Sequence, residues 1–181
     1  MSKLNRKKLN RQPIEEKAEK TLRDSAAYRV PVPIEFVAQR LNLKTEASFL
    51  DGKMSGVLVV ENGRGAIGYN STHASVRQRF SIAHEIGHYV LHAKNALSRL
   101  FIDRYLVYRR DDDSCTGDDR EEVEANAFAA ALLMPAPLLH QEIAKHDYDL
   151  DDEDDLSTLA KRFNVSTTAM SFRLVNLGLL R

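Results

Sequence analysis

Residues 81–92 read Ser-Ile-Ala-His-Glu-Ile-Gly-His-Tyr-Val-Leu-His, and within them His84, Glu85 and His88 form an H-E-x-x-H pattern. On a helix, residues four apart lie on one face, one turn above the other. His84 and His88 can therefore aim two imidazoles at one metal ion. Glu85 projects about 100° further round the helix, where its carboxylate can reach a water held on that ion. Two histidine ligands, an open coordination position and an adjacent carboxylate base are the parts of a metal hydrolase.

These groups need a rigid, dry support. Ile82, Ala83, Ile86, Val90 and Leu91 supply apolar faces, and no proline interrupts residues 75–94, so the segment is expected to be a buried helix. A catalytic zinc site usually has three protein ligands, so one more must come from downstream. Residues 121–135 form the one suitable segment. They are rich in alanine and leucine, carry acids at the start and stop at Pro135, which predicts a strong helix. Glu121, Glu122 and Glu124 are its three candidate ligands.

The paired motifs resemble a known family. H-E-x-x-H followed by a glutamate in E-x-x-A-[DN] is similar to the gluzincin metallopeptidases. The stretch Arg77-Gln78-Arg79-Phe80-Ser81-Ile82-Ala83-His84-Glu85-Ile86-Gly87-His88 more closely resembles the ImmA/IrrE family. So do Glu122-Val123-Glu124-Ala125-Asn126-Ala127-Phe128-Ala129-Ala130 and Leu132-Leu133-Met134-Pro135. The similarity covers roughly residues 25–140. It implies Glu122 as the third ligand, with Asn126 one turn further on and able to orient a ligand. It also implies a Zn²⁺-dependent endopeptidase with Glu85 as the base; Mn²⁺ or Fe²⁺ suit the same ligands. The implied substrate is a helix-turn-helix (XRE-type) transcriptional repressor, cut in a stress or mobile-element response. Some relatives look like members of toxin–antitoxin pairs, so the alternative is a toxin or DNA-binding regulator whose metal site is not proteolytic.

Composition limits the other possibilities. The 181 residues suit one domain with a small appendage, and 43% hydrophobic content allows a real core. A net charge of zero gives no general attraction to nucleic acid or anionic membrane. The single cysteine, Cys115, excludes an internal disulfide and fits a reducing compartment. It lies among Asp111, Asp112, Asp113, Asp118 and Asp119, which would raise a thiol pKa, so it is read as a bystander. No apolar run is long enough for a membrane span or signal peptide, and a cytoplasmic protein is expected.

Residues 1–12 are basic and read as a solvated tail. A helix is expected after Pro13, with Ile14, Ala18 and Leu22 inward, and a second after Pro33. Ser48-Phe49-Leu50, residues 56–61 and residues 66–70 are expected as strands of a small antiparallel sheet, with turns at Asp51-Gly52 and residues 62–65. The gluzincin resemblance implies that an edge strand could pair with substrate. Ser71 or Thr72 is expected to cap the metal helix. Arg77 and Arg79 are expected to pair with carboxylates that hold it, and His92 to pack at its end. Leu100, Phe101, Tyr105, Leu106 and Tyr108 read as a buried stretch followed by a surface loop. Tyr105 or Tyr108 could polarise a scissile carbonyl, although core packing is the preferred reading.

Residues 137–145 suggest another short helix. Residues 147–155 carry seven acids and no base, and read as a connector rather than a Ca²⁺ loop. Residues 156–163, a turn at Asn164-Val165, a cap at Ser166 and a second helix closed by Gly178 resemble a helix-turn-helix. That pair offers Arg173 alone as a strong base reader, so a structural or docking role is preferred to DNA binding. The expected architecture is α+β: a mostly helical zincin-like core over 13–146 with a small antiparallel sheet. An acidic connector and helix-turn-helix-like segment occupy 147–181.

Overall fold

The computed structural model describes residues 9–51, 54–62, 64–94, 96–104, 117–146 and 148–180. Most of the basic tail, Tyr105, Tyr108 and Cys115 lie outside the described residues.

The fold is α+β. Helices α1 (Gln12–Asp24) and α2 (Ile34–Arg40) come first. Strands β1 (Leu43–Ser48), β2 (Met54–Glu61) and β3 (Arg64–Asn70) follow. Next come α3 (Ser75–His88), a π-helical turn (Tyr89–Ala93) and β4 (Ser98–Arg104). Helices α4 (Gly117–Leu133), α5 (Ala136–His146), α6 (Glu153–Phe163) and α7 (Thr167–Leu177) complete the order.

Pro13 in the first turn of α1 presets its backbone, and Ile14, Ala18 and Leu22 point into the core as their spacing predicts. The sheet differs from expectation. It has four strands in the order β1-β3-β2-β4 and is mixed: β2 runs antiparallel to β3 and β4, but β1 runs parallel to β3. Strand β1 begins at Leu43, ahead of the expected Ser48-Phe49-Leu50, and Phe49 is exposed. Of this strand only Leu43 is buried, so a charged edge strand shows little alternation in sequence. Strand β4 comes from the stretch expected as a buried run. Its residues alternate instead: Phe101 is buried, while Leu100 and Ile102 face solvent opposite Val59 and Val57.

Helix α3 begins three residues beyond Thr72. It has no side-chain cap, and Thr72 Oγ1 donates instead to Asn70 Oδ1 at 2.8 Å. Among the described residues Arg79 bonds no carboxylate. It donates to two carbonyls, Val32 O at 2.8 Å and Asn164 O at 3.1 Å. Burial pushes its guanidinium below the usual arginine range, with the Glu35 charge acting against that. Arg77 donates to Ser55 Oγ at 3.0 Å.

At the C-terminal end, α6 starts earlier than expected. Asp152 caps it, accepting from the Asp154 and Asp155 N–H groups, so part of the acidic run is the first turn of a helix. Asn164 turns the chain in the left-handed region (φ 54°), Ser166 caps α7, and Gly178 ends it at φ 72°. Leu159, Phe163, Met170 and Leu174 join the same hydrophobic cluster as Ile82, Ile86, Phe128 and Leu132. Arg173 is 2% exposed, and its guanidinium bonds Met134 O and the Glu15 carboxylate. Phe172 and Val175 face outward.

No single described helix is long and apolar enough to cross a membrane. The bent pair formed by residues 120–133 and 136–146 passes that test only jointly. Its apolar residues Phe128, Leu132, Leu133 and Leu139 are buried in this core.

Candidate metal centre

Helices α3 and α4 cross where their side chains are smallest. Gly87 lies against Ala125: a Cβ on Gly87 would stand 3.0 Å from Ala125 O and 3.1 Å from Ala125 Cα. This close approach brings the H-E-x-x-H face of α3 onto the first half of α4. His84 Nε2 and His88 Nε2 are 3.0 Å apart. The Glu122 carboxylate spans both, with Oε2 at 3.2 Å from His84 Nε2 and Oε1 at 3.0 Å from His88 Nε2. The histidines are buried, and Glu122 is the more exposed member with a third of its side chain accessible.

The donor set fits a metal ion. Ligands about 2.0–2.1 Å from a tetrahedral zinc stand roughly 3.3 Å apart, close to the spacings found here. His84 Nδ1 lies 3.1 Å from Asn126 Oδ1. A proton on Nδ1 donates there, which leaves the lone pair of Nε2 facing Glu122 and His88. A divalent cation would accept these lone pairs; without one, protons on the imidazoles are shared with Glu122 instead. The Glu122 carboxylate stays ionised in either case. Burial pushes its pKa up, but hydrogen bonds and charge from His84 and His88 outweigh this and hold it at about 2.

The register of α4 separates the three glutamates. Glu121 accepts from Arg99 Nη2 at 3.0 Å through both carboxylate oxygens. Glu124 accepts from Arg120 Nε at 2.8 Å. Only Glu122 meets the imidazole pair. Glu85 is fully buried on α3 beside Gly56 of β2, where a Cβ would come within 2.6 Å of Glu85 Oε1. A glycine there leaves room for the carboxylate.

His92 packs behind the centre. Its ring lies 5.8 Å from that of His88, and its Nε2 is 3.8 Å from Glu124 Oε2. Burial pushes the imidazole below its ordinary range, and the nearby glutamate charges oppose this. The π-helical turn carrying it begins directly after His88; such turns are frequent at functional sites. A cavity of about 500 Å³ is lined by Lys17, Lys20, Lys94 and His92, but by none of His84, Glu85, His88 or Glu122. The donor atoms, rather than that cavity, locate the centre.

Sequence reasoning missed Phe101, whose ring stacks on His88, together with Arg99, Gly56 and Gly87. Glycine inside the H-E-x-x-H helix was the one available signal, since an interior helical glycine that costs stability usually has a packing reason.

No curated protein matches the sequence. A family model described as the IrrE N-terminal-like domain matches residues 38–175. That span contains both helices of the centre, the four strands and most of α7, and the chain belongs to this family of peptidases.

Proposed function

We propose that the chain is a metal-dependent endopeptidase in which His84, His88 and Glu122 hold a divalent ion, Zn²⁺ in the first instance, with Mn²⁺ or Fe²⁺ compatible. The observation that carries this reading is the convergence of two imidazole nitrogens and one ionised carboxylate at mutual distances of 3.0 to 3.2 Å. An ion held there supplies Lewis acidity, which acidifies water and polarises a scissile carbonyl. Glu85 accepts the proton of the attacking water at a carboxylate oxygen and returns it to the departing amine nitrogen. Asn126 fixes the His84 tautomer and ring by accepting from Nδ1–H. Burial keeps Glu85 in a site with little competing water.

The outer edge of β4, unpaired among the described residues, is the proposed docking strand for the substrate backbone. It is the outer strand next to the centre, and Phe101 ties it to His88. Family resemblance supports an XRE-type repressor as the substrate, cut in a stress or mobile-element response in the cytoplasm. The same resemblance supports 13–146 as a zincin-like catalytic region and 147–181 as an appended helix-turn-helix-like segment. Arg173 is turned inward, which favours a structural or docking role for that segment over DNA reading. The second reading, a toxin or regulator with a non-proteolytic metal site, has the buried Glu85 against it. A purely structural metal has no use for a base beside its ligands.

The test pairs metal content with cleavage. Wild type and Glu85→Gln are loaded with Zn²⁺ and incubated with an XRE-type repressor encoded beside the chain. Both should bind about one ion, while cleavage by the variant falls by about 10³-fold. Equal cleavage by both would remove Glu85 as the base. Metal uptake without cleavage by either would favour the non-proteolytic reading.

A further inference from the structure

The two imidazoles of the centre are steadied by different means. His84 has a hydrogen bond at its outer nitrogen, to Asn126. The outer nitrogen of His88, Nδ1, is buried and has no hydrogen-bond partner among the described residues. A metal-binding histidine almost always uses that nitrogen to fix its ring, and the torsion that turns an imidazole is otherwise broad. The His88 ring instead lies on Phe101, with centroids 4.4 Å apart and planes 26° from parallel.

Phe101 is itself held firmly. Arg99, two residues earlier on the same face of β4, places its guanidinium 4.9 Å from the Phe101 ring centre. The same Arg99 bonds both carboxylate oxygens of Glu121 at 3.0 Å and the carbonyl of His92 at 3.2 Å. It therefore pins β4 to the residue next to Glu122 and to the turn that follows His88.

We propose that Phe101 is a positioning residue for His88: the stacked phenyl ring takes the place of the missing hydrogen bond and turns Nε2 toward His84 and Glu122. This rests on reading the centre as a metal site. A flat ring restricts the imidazole plane, whereas an aliphatic side chain of similar volume fills space without choosing a plane. Disturbance of β4 then reaches the centre through His88, while His84 answers to α4.

Cobalt is the probe, because its visible absorption reports ligand geometry without any turnover. Co²⁺ affinity and spectrum are measured for wild type, Phe101→Leu, Phe101→Met, Phe101→Tyr and Leu100→Ala. The two aliphatic variants should bind Co²⁺ about tenfold more weakly, with shifted bands. Phe101→Tyr keeps the flat ring and should match wild type. So should Leu100→Ala, which alters the opposite, exposed face of β4. If either folded aliphatic variant matches wild type in affinity and bands, Phe101 is only a space filler and the inference falls. If wild type itself takes up no Co²⁺, the metal centre falls first, and the inference with it.

Discussion

At the α3–α4 crossing, His84, His88 and Glu122 bring lone-pair atoms within 3.0 to 3.2 Å of one another. At the junction of α1, α4 and α7, Arg173 does the reverse. Its buried guanidinium donates to Met134 O at 3.0 Å and to the Glu15 carboxylate, one bond of that pair measuring 2.7 Å. Both clusters are polar and lie against the same apolar core. The junction is complete in itself, with donors facing acceptors. The crossing gathers two imidazole nitrogens and a carboxylate round one point, which a cation or shared protons can complete. Buried polar groups are nearly always satisfied in folded chains; titratable groups gathered at metal-ligand spacing mark a candidate ligand site, while a permanently charged donor matched to fixed acceptors marks architecture.

The largest effect that would sharpen this contrast comes from Arg173→Met. The substitution keeps an apolar stem of similar length, removes the donors to Met134 O and leaves Glu15 without its cation. Breaking such a pair costs about 3 kcal/mol, the low end of the range, because Glu15 is partly exposed and can rehydrate. Urea unfolding should show that loss, while Zn²⁺ affinity of the folded variant stays at the wild-type value. A tenfold drop in affinity would mean that the two clusters are coupled and that the contrast is false.

Asn126→Ala acts in the opposite way. It removes the acceptor for His84 Nδ1–H but opens little space. Zn²⁺ affinity should fall about tenfold, with the unfolding free energy of the metal-free chain lowered by about 1 kcal/mol, since the bond is only partly buried. Competition with a chromophoric chelator measures the first and urea unfolding the second. A large stability loss with unchanged affinity would make Asn126 an architectural residue like Arg173.

The difference between these clusters also explains what the sequence disclosed. His84, Glu85 and His88 are four residues apart or fewer, and helical geometry alone places them together. Glu122 lies on a second helix, and its choice over Glu121 and Glu124 needed the family pattern; the contacts of Arg99 and Arg120 now account for the other two. Apolar spacing was enough to find α1, α2, α6 and α7. Strand β1 was misplaced because it buries one residue, and its parallel pairing to β3 is a crossover that no local pattern encodes. Arg79 and Arg173 reach carbonyls 85 and 39 residues away. The sequence suggests a carboxylate partner for the first and a base reader in the second, since no spacing reveals which carbonyls a fold leaves without a donor.

The smallest effect is the most discriminating, because it separates stability from assembly at one atom. Gly87→Ala adds a methyl 3.0 Å from Ala125 O, 3.1 Å from Ala125 Cα and 3.3 Å from Phe128 Cδ1. The first two are backbone atoms, so α4 must shift by a few tenths of an ångström to admit it. The crowding costs about 1–3 kcal/mol. Replacing an interior helical glycine by alanine returns about 1 kcal/mol, so the net loss of stability should be about 1 kcal/mol. Affinity cannot benefit from that offset. Ala125 lies three residues after Glu122 and one before Asn126, and any movement of α4 carries both away from the imidazoles. Metal sites demand placement within about 0.5 Å, so Zn²⁺ affinity should drop about threefold, measured by the same chelator competition. Unchanged affinity would show slack at the crossing, and Gly87 would then serve packing alone. A threefold loss in a chain that is barely less stable would show that the closeness of α3 and α4 serves the three ligands more than the core around them.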